Sequence, residues 1–160
     1  MNLEKVALNK PDDTNIIVGQ AHFIKTAEDL YEALVNSAPG IKFGVAFCEA
    51  SQDRLVRVEG NDEELRKCAG DNALRIGAGH SFVIVLRNAY PINVLRNVKD
   101  VPEVCSIFCA TANDVEIVVT GSDRGRGIVG VIDGQNPVGV ESDEDIKKRR
   151  EFLRKIGYKQ

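Results

Sequence analysis

Two stretches of this 160-residue chain leave little choice of architecture. Residues 42–49 read KFGVAFCE and residues 81–86 read SFVIVL. Both are short runs, almost wholly apolar, rich in β-branched and aromatic side chains. That is the signature of a strand buried on both faces. Such a strand needs a covering layer above and below, so it belongs in the middle of a layered sheet.

The flanking segments supply the covers. Residues 3–8 alternate loosely as a first strand, Pro11-Asp12-Asp13 turns the chain, and the β-branched run 15–18 makes a second strand. Gly19 then permits a sharp change of direction. Thr26 followed by Asp29 is the pattern of an N-cap with a reciprocal acidic partner, which predicts a helix over 26–36. Its inward face is Ala27, Leu30, Tyr31 and Leu34. Ser51-Gln52-Asp53 predicts a hairpin between 42–49 and the alternating run 54–59. Asn61 with Glu64 caps a second helix to about Ile76, with Leu65, Cys68, Ala69, Ala73 and Ile76 inward. Gly77-Ala78-Gly79-His80 turns into 81–86, and Pro91 opens a short helix through 98. Residues 104–110 read as another buried strand. Strands 116–120 and 128–132 flank the loop SDRGRG. Ser142 with Asp145 caps a last helix ending near Gly157, with Arg149, Arg150, Arg154 and Lys155 toward its C-terminus, where the helix dipole favours cations.

No repeat, low-complexity tract or linker interrupts this order, so a single domain over residues 1–160 is expected. Its class is α/β of the α+β type, a three-layer α/β/α arrangement with a mixed β-sheet. A domain of this length buries about 70% of its unfolded surface, enough for a substantial core.

The net charge of −3 lacks the strongly basic face that nonspecific nucleic-acid binding needs. No apolar run approaches the length of a membrane span. Met1-Asn2-Leu3-Glu4-Lys5 leads into no secretory core, so a cytoplasmic location with four reduced cysteines is expected. Without a CxxC, and with two histidines in all, a zinc site is not expected. Cys105 and Cys109, four apart on a strand, face one side, and the cysteines read as buried, inert thiols.

Three places carry candidate chemistry. His22 and Lys25 lie between the second strand and the first helix, where free N–H groups and partial positive charge suit an anion. Arg124-Gly125-Arg126-Gly127 places guanidinium groups and bare backbone around a phosphate, or is a solvated hairpin tip. Glu49, Asp133 and Glu141 put carboxylates near strand ends, where one holds Mg²⁺ or a ribose hydroxyl, or simply a turn. His80 is either a core histidine or a pocket wall. Phe43, Phe47, Phe108 and Tyr90 are the aromatic candidates for a pocket wall, or core.

The segments GQAHFIKTAEDLYEAL, KFGVAFCEAS, RLVRVEGNDEEL, IGAGHSFVIVL, YPINVLRNVKDVPEVCSIFCATAND, GRGIVGVIDG and LRKIGYK together resemble the adenosine-specific kinase family. The likeness runs over about residues 15–159; Gly70 inside a predicted helix is the one oddity. The resemblance implies a compact α/β/α domain, binding of adenosine and AMP, and a histidine that carries a phosphoryl group. On this reading His22 and Lys25 are catalytic, His22 being preferred to His80 as nucleophile. Gln20, Glu49, His80, Arg124, Arg126 and Asp133 are substrate-binding. No resident metal is expected, and Mg²⁺ enters only with a nucleotide phosphoryl donor. A homo-oligomer, a trimer, is expected. The competing readings are a non-catalytic adenosine/AMP sensor and a structural protein without a ligand.

Overall fold

The computed structural model of the chain describes residues 2–160. The elements run β1 (Leu3–Ala7), β2 (Asn15–Ala21), α1 (Thr26–Val35), β3 (Lys42–Cys48), β4 (Val56–Gly60), α2 (Glu63–Ile76), β5 (Ser81–Arg87), α3 (Pro91–Lys99), β6 (Val104–Thr111), β7 (Val115–Gly121), β8 (Arg126–Asp133) and α4 (Asp143–Lys155). They build a five-stranded sheet in the order β4-β3-β5-β2-β6 and a three-stranded sheet in the order β1-β7-β8. The expected single mixed sheet is thereby refined. The registered pairs are antiparallel, and the parallel contact is an isolated bridge between Ala78 and Arg126.

The two apolar runs became β3 and β5, and β5 is the centre of the larger sheet. Alternation sends Phe82, Ile84 and Leu86 to one face, against Leu30 and Leu34 of α1 and Val94 and Val98 of α3. Val83 and Val85 go to the other face, against Leu65, Ala69, Ala73 and Ile76 of α2 and Ile117 and Val119 of β7. The layers are therefore α1 and α3, the large sheet, and α2 beside the small sheet. Each fully buried Leu, Ile, Val or Phe contributes about 1.5–3 kcal/mol relative to exposure, so both faces hold the central strands rigidly. Gly44 lets α2 sit directly on β3: a Cβ there would meet Leu65 O at 2.2 Å.

Several local expectations change. Gly19 does not turn the chain; β2 continues through it to Ala21, with a register shift against β6 after Val18. Its bare Cα is required by packing, since a Cβ would lie 2.3 Å from Phe82 Cζ and 2.6 Å from Ser106 O. Lys25 takes the N-cap position of α1, and Thr26, fully buried, turns its hydroxyl back to Phe23 O. Asp62 caps α2 by accepting from Leu65 N, while Asn61 accepts from Phe43 N of β3 and donates to Ile41 O just before it. Capping of α4 by Ser142 and Asp145 is as expected, but α4 buries no residue. β6 is a half-exposed edge strand, not a buried one. Its irregular register breaks the alternation that put Cys105 and Cys109 together: Cys105 is exposed, while burial pushes the Cys109 thiol up to about 11.

Candidate functional site

The ends of β2 and β3 and the start of β5 meet at His80. Its N–H donates to Cys48 O at 2.8 Å and its carbonyl accepts from Ala21 N at 2.9 Å. Gly77, left-handed at φ +61°, ends α2, and His80 itself takes φ +64°. That conformation is uncommon for a residue with a Cβ and is held only where its surroundings enforce it. The His80 ring lies over Phe47, centroids 5.8 Å apart and planes 23° from parallel.

His22 follows β2 directly, its N–H donating to Glu103 O at 3.2 Å. The side chains of His22 and His80, 58 positions apart, line one cleft of about 270 Å³ with Phe47, Glu49 and the 50–52 turn. His22 is exposed and its ring has no hydrogen-bond partner among the described residues. Lys25 does not point free into this cleft: it pairs with Asp29 and, at 2.8 Å, with Glu103 Oε1. Those partners raise its pKa above the usual lysine value. Glu103 is buried, and its second oxygen, Oε2, has no partner among the described residues.

Glu49 is fully engaged. Its Oε2 accepts from Leu55 N at 2.9 Å and its Oε1 from Arg57 Nε at 2.7 Å, which hold its carboxyl below the ordinary value. Glu49 and Ala50 also form the wall of a second cleft, of about 670 Å³, lined by Arg54, Arg124 and Arg126 with Gly77, Gly79 and Gly125. Arg126 donates to Arg75 O at 3.1 Å and pairs with Glu4, whereas the guanidinium groups of Arg54 and Arg124 have no partner among the described residues. Arg54 was not foreseen. It sits at φ +52°, two residues beyond Gln52 at +57°, in a turn with no glycine to signal it. Of the non-glycine residues at positive φ among the described residues, Gln52, Arg54 and His80 line these two clefts, and Asn88 does not.

The other expected residues lie elsewhere. Gln20 is exposed on β2, opposite Ser81 and Ser106. Asp133 accepts from Thr111 Oγ1 at 2.9 Å and Asn113 Nδ2 at 3.1 Å, at the far end of β8. At about 3.3 Å per residue that is roughly 23 Å along the strand from Arg126. Glu141 pairs with Arg149 at 2.9 Å. Phe43 is core, Phe108 half-buried, and Tyr90 belongs to an apolar groove with Phe152, Ile156 and Tyr158. Among the described residues no group of three or more His, Cys, Asp or Glu side chains is arranged to hold a metal ion. No helix among them is long and apolar enough to cross a membrane.

A three-layer α+β domain with two adjoining, conformationally strained clefts, one lined by both histidines and one by three arginines, is the class of protein these features define. The family model described as adenosine specific kinase matches residues 6–159, and the chain belongs to that family. The chain is also similar to the crystal structure of the PH1918 protein from Pyrococcus horikoshii OT3. Identity is 46% with a TM-score of 0.96, over 99% of this chain and 98% of that one. Among curated proteins none matches it. The family's description points to an adenosine-related function.

Proposed function

We propose that the protein binds adenosine and AMP and acts as an adenosine-specific phosphotransferase through a phosphohistidine. The observation that carries the reading is the meeting of His22 and His80 in one cleft that shares its Glu49–Ala50 wall with the arginine cleft. A phosphohistidine needs an imidazole nitrogen free to attack and cations near the phosphate. The His22 ring, without a partner among the described residues, meets the first need, and Arg124 and Arg126 meet the second. In the first step a neutral His22 nitrogen bonds to phosphorus while the donor's P–O bond breaks. The leaving oxygen keeps the electron pair, and the ring's other N–H proton passes to water. In the second step the adenosine 5′-hydroxyl oxygen displaces the nitrogen, and its proton goes to the released imidazole. Mg²⁺, where it takes part, arrives on the donor's phosphates.

A second reading is favoured by one observation. The ammonium of Lys25 is held between Asp29 and Glu103, so the cation nearest His22 in sequence is already neutralised. This suits a non-catalytic adenosine/AMP sensor. Calorimetry with adenosine, AMP and guanosine, followed by intact mass after incubation with ATP, separates the two. Purine binding with an acid-labile, phosphate-sized mass increase supports transfer. Binding without that increase supports the sensor, and no purine binding removes both.

A cytoplasmic homo-oligomer, a trimer, remains part of the proposal. The unburied α4 and the apolar groove of Tyr90, Phe152, Ile156 and Tyr158 support self-association. Light scattering that finds a monomer at high concentration rejects it.

A further inference from the structure

The arginine cleft is larger and more cationic than a single phosphate group requires. It encloses about 670 Å³, against about 270 Å³ for the histidine cleft. Three arginines line it, the guanidinium groups of Arg54 and Arg124 without a partner among the described residues, and its one carboxylate, Glu49, is already neutralised by Arg57. The walls between the arginines are glycine. At Gly125 and Gly127 a Cβ would meet nothing within 4 Å, so an extended anion has room along the backbone. The lining also lacks an exposed aromatic face on which a base would stack. Forked, permanently charged donors in a row match successive phosphate oxygens.

We propose that this cleft binds a chain of phosphates, the tail of a polyphosphate phosphoryl donor, and that Arg54 and Arg124 are its principal contacts. The site itself stands on the geometry above; its role as donor site rests on the transfer reading. The shared Glu49–Ala50 wall then puts the terminal phosphoryl group at the boundary with the histidine cleft. The bond from the His22 nitrogen to that phosphorus forms as the bridging P–O bond breaks. The shortened chain keeps the electron pair on its new terminal oxygen, and Arg54 and Arg124 hold that charge. Adenosine and donor thus occupy separate, adjoining clefts.

The test is calorimetric titration of the full chain with inorganic tripolyphosphate, pyrophosphate and orthophosphate, with and without saturating adenosine. Tripolyphosphate is expected to bind at least about tenfold more tightly than orthophosphate, a difference of about 1.4 kcal/mol, and to bind equally well beside adenosine. The double variant Arg54→Ala/Arg124→Ala should weaken it by about tenfold or more at an unchanged melting temperature. Titration of ATP distinguishes the sources: affinity equal to tripolyphosphate indicates an inorganic chain, and tighter binding a nucleotide, both within the proposal. Tripolyphosphate no tighter than orthophosphate, displaced by adenosine, or indifferent to the double variant overturns it. Wild-type protein that binds tripolyphosphate but no adenosine overturns the transfer reading and leaves the anion site standing.

Discussion

The ammonium of Lys25 lies 2.8 Å from Oε1 of Glu103, 78 residues further along the chain, while pairing with Asp29 one helical turn away. One cation thus ties the first turn of α1 to the segment that leads into β6, beside the backbone bond from His22 to Glu103. The same cation holds the Asp29 carboxyl below its ordinary pKa, Lys25 being the largest cause. A carboxyl with a folded value below its unfolded value of about 3.9 stabilises the protein above that pH and stops doing so as pH falls through the folded value. Asp29→Asn lacks this contribution at every pH. The melting temperatures of wild type and variant should therefore differ near neutrality and converge in acid. A gap constant from about pH 6 to about pH 2 would show that Asp29 acts through shape, not charge.

Packing at Gly19 and Gly44 gives the next prediction. A Cβ at Gly19 meets Phe82 on one side and the Ser106 carbonyl on the other, and one at Gly44 meets the backbone of Leu65 and Arg66. Gly19→Ala should cost about 1–3 kcal/mol, the usual range for overpacking, and Gly44→Ala at least as much because backbone must move. Gly130→Ala, with nothing within 4 Å, should stay within about ±0.5 kcal/mol. Urea titrations of the three variants decide it; a neutral Gly44→Ala would mean that α2 does not rest on β3 as closely as described.

These sites show where the sequence was legible. Strands β3 and β5 were plain because burial on both faces leaves no polar positions. The Ser142–Asp145 cap was plain because nothing else competes for either side chain. Thr26 and Asn61 carried the same cap pattern, but a local contact decided the first and a tertiary one the second. Lys25 preceded Thr26 in helical conformation, and Asn61 was drawn to Phe43 and Ile41 across the sheet. Gly19 fits a turn and a close approach equally well until Phe82 is known to lie above it. At the candidate site, His22 and Lys25 were visible locally, but pairing of β2 with β5 brings His80 to His22, and no local pattern encodes that. Asp133 looked equivalent to Glu49 as a strand-end carboxylate, yet strand direction carries it to the end of β8 away from the arginine cleft.

The two arginines of the glycine-rich loop should separate by readout. Arg124 is exposed and its side chain has no partner among the described residues, so Arg124→Ala should weaken AMP by about 1.5–3 kcal/mol, the range for a hydrogen bond to a charged group, and leave adenosine unchanged. Arg126 also holds Arg75 O and Glu4, joining α2 and β1 to β8, so Arg126→Ala should lower thermal stability as well as AMP affinity. Calorimetry and thermal melts on both variants check this. Equal losses for adenosine and AMP would place the loop at the base rather than the phosphate.

The nucleophile assignment divides the two histidines by their surroundings. The His22 ring is exposed and without a hydrogen-bond partner among the described residues, so its nitrogens are sterically open to a phosphorus atom. The His80 ring rests on Phe47, and its backbone joins the ends of β2 and β3. Its φ of +64° makes alanine a poor replacement, since the strain would confound the result. Asparagine tolerates that region, so His80→Asn removes the imidazole and keeps the turn. Incubated with ATP and read by intact mass, His80→Asn should still gain the acid-labile phosphate, and His22→Ala should not. The reverse pattern would move the nucleophile to His80. A gain in both variants would place the phosphate on neither ring and end the phosphohistidine mechanism.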